Sequence, residues 1–335
     1  MISIIENTLR DGSYAVDFQI SKEQTAEVTQ GLSQCGFEMI EVGHGLGLGA
    51  YKNENAGLSK ENDESYISAA KEVAGGAKVS AFFIPGIGNK EDIKKAHALG
   101  LDIIRIGANV DEYERCHEYV DYAKSLGMVA AVNLMKSYAV KSYEFSTIAE
   151  DIDTWGLADV IYLVDSAGCM TPEEVNDYLY RTSERSGTAL GFHGHNNLSL
   201  AAANTMQAVK SGATYIDTCI RGMGRSAGNA QTEIVIILLQ KLGFYEEINI
   251  YDLYELANNI VAPMMNHSQG MTDDEIHIGY SKFHSGYASL VETSVKQYHV
   301  DAKRVIKGAS EVNCLNPNQE LFDQIAKEIR ENASN

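Results

Sequence analysis

The stretch DVIYLVDSAGCMTPEEVNDYLYRTSER, residues 159–185, has the pattern of one buried strand followed by one capped helix. Residues 159–164 are dominated by Val, Ile and Leu, as in a parallel sheet that is covered on both faces. Thr171 is a preferred residue type for the N-cap of a helix, and Pro172 suits its first turn. We therefore predict a strand over 159–164 and a helix over 172–185, which together make one βα unit.

The same apolar run followed by an amphipathic stretch recurs along the chain, for instance with helical patterns at 21–34 and 111–125. Eight such units, spaced by roughly 25 to 40 residues, are typical of a (β/α)8 barrel. A doubly wound sheet is the alternative, but the sequence has no convincing dinucleotide-binding fingerprint. The other predicted strands cover residues 2–6, 38–42, 78–83, 101–106, 128–134, 189–193 and 214–219.

We predict an α/β fold in which residues 1–264 form a TIM barrel that carries the catalytic site. Beyond about residue 265 the strand patterns stop. Helical patterns over 285–298 and 317–331 indicate a small helical C-terminal region, residues 265–335. A chain of 335 residues with 44% hydrophobic composition can bury a core large enough for both parts.

The composition argues against several classes of partner. Lys and Arg number 27 against 46 Asp and Glu, and the net charge of -19 repels the phosphates of nucleic acids and anionic membrane surfaces. We find no apolar run long enough for a membrane span and no targeting segment. The five cysteines are odd in number and form no C-x-x-C pair, which favours a reducing compartment. We therefore expect a cytoplasmic protein that acts on small molecules.

Reactive side chains follow two predicted strands at the end where barrel enzymes carry their chemistry. Strand one runs into Arg10 and Asp11, and strand seven ends in His193, Gly194 and His195. Because side chains alternate along a strand, the two histidines share one face. A carboxylate and two imidazoles make a three-ligand set for a divalent metal that leaves positions open for substrate.

Each motif has a simpler interpretation when it stands alone. Most H-x-H pairs are incidental, and an Arg-Asp neighbour pair is usually a surface ion pair worth little. Because both motifs lie at the same rim of the predicted barrel, we favour a functional site there. Glycine-rich turns at 43–47 and 165–168 let a ligand approach the backbone, although turn formation explains most of those glycines equally well. Residues 221–229 form an anion-friendly loop without the spacing of a nucleotide-binding motif.

Several motifs together carry a family resemblance. They are TLRDG at 8–12, EVGHG at 41–45, PGIG at 85–88, DSAG at 165–168, GFHGHNNL at 191–198, IDTCIRGMG at 216–224 and AGN at 227–229. The set resembles the DRE-TIM metallolyases, with the greatest likeness to the 4-hydroxy-2-oxovalerate aldolases. The resemblance covers nearly the whole chain, and its motifs are more specific for the superfamily than for the substrate.

The resemblance implies a divalent metal, usually Mn2+ and otherwise Mg2+, Co2+ or Zn2+, bound by Asp11, His193 and His195. It implies that Arg10 adds positive charge where an enolate oxygen develops. Asn229 matches an asparagine that ligates metal in some related lyases. The implied reaction makes or cleaves a 4-hydroxy-2-oxo acid, with pyruvate enolate and an aldehyde as the two halves.

The resemblance also implies substrate contacts. Backbone amides of residues 165–168, including Ser166, would hold the carboxylate of the 2-oxo acid. Arg10, His44 and Tyr287 are the other substrate-binding candidates.

The position of the catalytic base departs from the aldolase pattern. Where the aldolases place a histidine that takes the proton of the 4-hydroxyl, this chain has Tyr14, a poor base at neutral pH. Where they place a partner tyrosine, it has His284. We hypothesise that the two are exchanged, with His284 as the base and Tyr14 as its partner. The alternative is that His284 is an ordinary loop histidine and Tyr287 supplies the phenol.

Leu46, Asn196 and residues 107–109 depart from the pattern as well, which leaves the aldehyde open. The tail from about Gly279 resembles the region where those aldolases contact an acylating aldehyde dehydrogenase, and the family also suggests a homodimer. Two other functions remain as alternatives. One is a Claisen-type condensation with an acyl thioester, as in isopropylmalate and homocitrate synthases. The other is a non-catalytic subunit that retains the fold.

Overall fold

Eight parallel strands close into a barrel in the computed structural model, which describes residues 2–333. The strands are β1 (Ser3–Leu9), β2 (Met39–Val42), β3 (Lys78–Phe83), β4 (Ile103–Asn109), β5 (Val129–Met135), β6 (Val160–Asp165), β7 (Ala189–Gly194) and β8 (Tyr215–Thr218). Each strand pairs with its neighbours in chain order, and β8 pairs with β1 to close the ring. The predicted TIM barrel is confirmed, with each strand displaced by at most a few residues.

Helices cover the outside of the barrel and alternate with the strands. They are α1 (Lys22–Gln34), α2 (Asp63–Val73), α3 (Lys90–Ala98), α4 (His117–Ser125), α5 (Ser142–Thr154), α6 (Pro172–Ser183), α7 (Ala201–Lys210), α8 (Thr232–Gln240) and α9 (Ile250–Leu256). The predicted cap of α6 is present, because the Thr171 side chain accepts a hydrogen bond from the Glu174 N–H and Pro172 occupies the first turn.

The helix predicted over 111–125 is shorter than expected. A 3-10 segment, Val110–Cys116, precedes α4, and Glu112 within it has non-helical torsion angles. Val110 and Cys116 are both fully buried. On an α-helix, two side chains that are six residues apart point in directions about 120° apart. The bend brings both of them into the core.

The inside of the barrel contains a polar layer next to an apolar one. Alternate strand positions supply the apolar cluster of Ile5, Met39, Ile103, Ala131, Val160, Tyr162 and Val164. The Arg105 side chain of β4 is fully buried, with its guanidinium carbon 4.4 Å from the centre of the Tyr162 ring. A buried guanidinium needs acidic partners, and these connect the barrel interior to the site described below.

Four further helices follow the barrel. They are α10 (Asp273–Tyr280), α11 (Ala288–Tyr298), α12 (Ala302–Val312) and α13 (Gln319–Ala333). A separate apolar cluster that includes Phe283, Val305 and Phe322 holds them together. The helical C-terminal region is confirmed, whereas the boundary between 264 and 265 stays a prediction, and Met1 and residues 334–335 lie outside the described residues. None of the helices within 2–333 has the length and apolar character needed to cross a membrane.

Candidate active site

Asp11, His193 and His195 meet at the carboxyl end of the barrel. Asp11 opens the 3-10 segment after β1, His193 lies in β7, and His195 directly follows β7. Each residue offers a ligand atom, and these atoms lie within 4.8 Å of one another. All three side chains are buried.

Hydrogen-bond contacts at Nδ1 orient both imidazoles and leave the other ring nitrogen, Nε2, available. Nδ1 of His193 lies 2.8 Å from the Asp217 carboxylate of β8, and Nδ1 of His195 lies 3.3 Å from the Gly228 carbonyl oxygen. The Nε2 atoms are therefore free to act as ligands. Burial lowers the pKa of His195 to about 3 despite the nearby Asp11 carboxylate. His195 is neutral at physiological pH, as a metal ligand must be.

Asp11 is held as a carboxylate by its surroundings. Burial by itself raises its pKa, but the charge of Arg10 and the two histidines outweigh burial and hold the pKa well below its usual range. Arg10 Nη1 lies 2.5 Å from Oδ2, and the Asn229 amide donates to Oδ1 over 2.9 Å. Oδ1 of Asn229 is buried and has no hydrogen-bond partner among the described residues.

This donor set fits a divalent metal. One carboxylate and two imidazoles are ligands that Mn2+ and related ions accept, and they leave room for further oxygen ligands. The unpartnered oxygen of Asn229 is a further candidate, since a buried amide oxygen without a partner is uncommon and costs free energy.

Arg10 belongs to a buried network of charges that reaches the candidate metal ligands. Its Nε donates to Glu41 over 2.6 Å, and Arg105 Nη1 donates to the same Glu41 oxygen over 3.0 Å. The other end of Arg105 donates to Asp217, the carboxylate that orients His193. The network therefore fixes the position of Arg10 and the orientation of His193 together.

The predicted site did not include Glu41, Arg105 or Asp217. Each is a charged residue within a run that otherwise has the apolar character of a barrel strand. A charge at such a position is rarely buried without a partner. A charged residue within an otherwise apolar strand was therefore the signal from which a buried ion-pair network could have been predicted.

A cavity of about 240 Å³ opens beside these residues. Of the other predicted site residues, Tyr14, Ser166, His284 and Tyr287 line it, together with Arg10 and the three ligand candidates. The structure therefore brings residues from β1, β6, β7 and the C-terminal region to one pocket. The size suits a small molecule.

Tyr14 and His284 have different surroundings within the pocket. The Tyr14 ring packs so closely on Gly45 that a Cβ there would lie 2.4 Å from the ring. Burial raises the pKa of Tyr14 to about 12, so its hydroxyl stays protonated. Nδ1 of His284 accepts the Gly286 N–H over 3.2 Å. Burial, with the charges of Arg225 and Lys136, lowers the pKa of His284 well below its usual value, so the imidazole is neutral.

His44 is not among the residues that line this cavity. Its Nε2 lies 2.9 Å from the Gly57 carbonyl oxygen, and its Nδ1 accepts the Leu46 N–H over 3.0 Å. Its ring stacks on Phe18 with the ring centres 4.0 Å apart. Both nitrogens are thus used within the protein, and the structure gives His44 no route to the predicted substrate contact. The neighbouring Gly45 and Leu46 do line the cavity.

Two cationic side chains, Lys136 and Arg225, also line the cavity. The sequence indicated Arg225 only as part of the anion-friendly loop 221–229 and did not indicate Lys136. Lys136 directly follows β5, and Arg225 lies in the loop between β8 and α8. Lys136 donates to the Tyr287 hydroxyl over 2.7 Å and to the Leu315 carbonyl oxygen. Their positions at strand ends on the catalytic rim were a usable signal, because side chains there face the site in barrel enzymes.

Comparison with known proteins gives full-length relatives. The chain is 33% identical to a protein of Carboxydothermus hydrogenoformans named 4-hydroxy-2-oxovalerate aldolase, over 98% of this chain and 97% of that one. It is 35% identical to a protein of the same name from Geobacillus thermodenitrificans, over 98% of this chain and 95% of that one.

A solved structure shares the fold at low sequence identity. The carboxyl transferase domain of Rhizobium etli pyruvate carboxylase superposes with a TM-score of 0.77 at 14% identity, over 99% of this chain and 60% of that one. This likeness concerns the fold alone. The sequence profile of the HMGL-like family matches residues 1–260, well over half of the chain. The protein therefore belongs to the HMGL-like family.

Proposed function

We propose that this protein is a divalent-metal-dependent aldolase, a carbon-carbon lyase that cleaves or forms a 4-hydroxy-2-oxo acid. The observation that carries the proposal is the convergence of Asp11, His193 and His195, with Arg10 in contact with Asp11. The names of the full-length relatives support the same reaction class.

Asp11, His193 and His195 would hold one ion, Mn2+ in the first place. When bound, the ion supplies Lewis-acid activation of the keto oxygen of the 2-oxo acid. The Arg10 guanidinium stabilises the negative charge that develops on this oxygen, since Glu41 and Asp11 hold it in place. Ser166, a lining residue of the cavity, binds the carboxylate of the 2-oxo acid.

His284 is the proposed base for the 4-hydroxyl group. In the cleavage direction the unprotonated ring nitrogen of the neutral imidazole takes the hydroxyl proton. The bond between C3 and C4 then breaks, the electron pair of this bond forms pyruvate enolate, and C4 becomes the aldehyde carbon. The neutral state of His284 suits this role, because only the unprotonated imidazole accepts a proton. The protonated Tyr14 hydroxyl serves as a hydrogen-bond donor to the reacting oxygen.

The reaction is tested by incubating the Mn2+-loaded protein with pyruvate and a panel of aldehydes, with acyl thioesters as controls. We expect new 4-hydroxy-2-oxo acids, detected by mass spectrometry and NMR, and no thioester condensation. Product from thioesters alone would instead indicate a Claisen-type enzyme. Full activity of a metal-free protein under strong chelation would contradict the metal requirement.

The metal site has a test that does not depend on activity. We expect Asp11→Asn to weaken Mn2+ binding by more than about 100-fold, because the variant loses the anionic ligand. Asp17→Asn is the matched control, since Asp17 is an exposed residue at the end of the same 3-10 segment. Titration with Mn2+ followed by electron paramagnetic resonance measures both. Equal affinities in the two variants would place the ion elsewhere.

The role of His284 predicts a large kinetic effect. We expect His284→Ala to lower kcat by about 100-fold or more, the usual contribution of a general base. His267→Ala, at an exposed histidine of the same C-terminal region, should leave kcat unchanged. Undiminished turnover and an unaltered pH profile in His284→Ala would favour the alternative in which His284 is an ordinary loop histidine.

The remaining expectations from the family also stay predictions. They are a homodimer, a cytoplasmic location and an acylating aldehyde dehydrogenase partner. Light scattering tests the first, fractionation of cells the second and co-purification the third.

A further inference from the structure

Arg225 and Lys136 are cations that line the cavity and have no anionic partner in salt-bridge contact among the described residues. Neither forms a salt bridge within the described residues, in contrast to Arg10 and Arg105, which are each paired with carboxylates. The Lys136 side chain is nearly completely buried, and its two hydrogen bonds go to neutral oxygens of Tyr287 and Leu315. An ammonium group has three donors, so one remains for a ligand.

Both groups carry positive charge at neutral pH. Burial, together with Arg225, lowers the pKa of Lys136 to about 8, so most molecules keep the proton at pH 7. The second group is the guanidinium of Arg225, and the guanidinium of arginine is cationic in proteins. Holding a charge in a buried place without a counter-ion costs free energy. The whole chain has a net charge of -19, so any attraction for an anion must come from such local groups.

The two cations lie beside the residues that we assign to the 4-hydroxyl group. Lys136 follows β5, which lies opposite β1 in the closed ring, whereas Asp11 follows β1. The Arg225 guanidinium carbon lies 5.4 Å from the centre of the Tyr14 ring. Both cations act electrostatically on His284. They thus surround the two residues that we assign to the 4-hydroxyl group.

We propose that Arg225 and Lys136 bind an anionic group, a carboxylate or a phosphate, on the aldehyde half of the substrate. The inference rests on the proposed aldolase function and narrows its substrate class. The planar fork of Arg225 suits the two oxygens of either anion, and Lys136 adds a point charge. Ser166 and Arg10 already account for the carboxylate and the keto oxygen of the pyruvate half.

Pairs of aldehydes that differ in charge test the inference. With saturating pyruvate and Mn2+, we compare 4-oxobutanoate with the neutral pentanal, and glycolaldehyde phosphate with glycolaldehyde. We expect kcat/KM to be at least about tenfold higher for one or both anionic aldehydes, because a hydrogen bond between charged groups contributes a free energy of this size. The two pairs separate a carboxylate site from a phosphate site. Equal values within both pairs would overturn the inference.

Variants test which side chains cause the preference for anionic aldehydes. We expect Lys136→Met and Arg225→Gln each to reduce the anionic-to-neutral ratio of kcat/KM by about tenfold. Lys141→Met and Arg221→Gln are the matched controls, because they remove the same charges from the same two loops outside the cavity. Arg225 is only partly buried, so Arg225→Gln provides a test even if Lys136→Met does not fold.

The outcomes separate this inference from the proposed function. If the variants raise KM for pyruvate and lower kcat/KM equally for both members of each pair, the cations bind the pyruvate carboxylate and the inference is wrong. Exchange of the pyruvate methyl protons in D2O reports enolate formation by the unaltered protein. If the protein catalyses this exchange but condenses pyruvate with neutral aldehydes only, the aldolase proposal stands and the inference is wrong. Absence of both exchange and condensation would overturn both.

Discussion

At the scale of single residues, Arg105 connects stability to the site. It is fully buried and contacts Glu41 and Asp217, which in turn contact Arg10 and His193. Removing one partner of a buried ion pair is costly, because the other charge stays buried without compensation. The same residue that fills the barrel interior therefore also orients, through Asp217, the proposed metal ligand His193.

We expect Arg105→Met to lower the free energy of unfolding by about 3 to 5 kcal/mol, since Asp217 loses its guanidinium partner and Glu41 loses one of its two. Denaturant unfolding monitored by circular dichroism measures this. Arg181→Met is the control, because Arg181 forms an exposed pair with Asp177 on α6, and such pairs contribute less than about 1 kcal/mol. A loss of equal size in both variants would show that burial of the network contributes nothing.

Sequence could indicate some site residues and not others for a physical reason. Asp11, His193 and His195 follow strands, so the alternation of side chains and the shared rim were enough to predict that they meet. Lys136 and Arg225 become candidates for anion binding because they form no salt bridge within the described residues. The absence of a carboxylate partner is a property of three-dimensional packing and leaves no trace in local sequence.

At the scale of secondary structure elements, strands were predicted better than helix ends. Buried parallel strands are continuous apolar runs, which are visible in a sequence. The bend at Glu112 depends on the burial of Val110 and Cys116 against distant strands, and periodicity alone does not reveal it. The αL conformation of Lys136, with φ of 56°, likewise has no signal in its residue type.

The first residue of α2 gives a pH-dependent prediction. Asp63 Oδ2 accepts the Gly49 N–H over 2.6 Å, whereas Oδ1 has no partner among the described residues. Burial, helped by Asp92, raises the pKa of Asp63 to about 7. Between about pH 4 and pH 7 the native state binds more protons than the unfolded state, so this group makes stability fall as pH rises.

We therefore expect Asp63→Asn to be more stable than the parent at pH 8, by about 2 to 4 kcal/mol, and the difference to shrink towards pH 4. Unfolding by urea at several pH values measures it. Asp273→Asn is the control, since Asp273 is the exposed first residue of α10. A variant that loses stability at pH 8 would show that the native fold stabilises the ionised Asp63 carboxylate, which contradicts a raised pKa.

At the scale of the whole molecule, the C-terminal helices complete the pocket that the barrel begins. His284 and Tyr287 line the cavity, and both lie in the segment that leads into α11. Phe283, adjacent to His284, packs in the C-terminal apolar cluster with its ring centre 6.3 Å from that of Phe322. The barrel therefore supplies the proposed metal ligands, whereas the C-terminal cluster supports the proposed base, His284.

We expect Phe322→Ala to destabilise the C-terminal cluster by about 3 to 5 kcal/mol, the usual effect of truncating a buried phenylalanine. Turnover should fall because His284 loses its support, while Mn2+ affinity stays the same because the ligands belong to the barrel. Phe244→Ala, at a residue that is 40% exposed, is the control. A parallel loss of Mn2+ affinity would show that the two parts unfold as one unit.

Closure of the ring by its last strands has a consequence for how the protein is made. Asp11 leaves the ribosome early, whereas His193, His195 and Asn229 emerge only with the seventh and eighth strands. If the proposed site binds an ion, its ligands come together only late in synthesis, and we expect the metal to be loaded afterwards. Cells grown without manganese should still yield a chain that takes up the metal after purification.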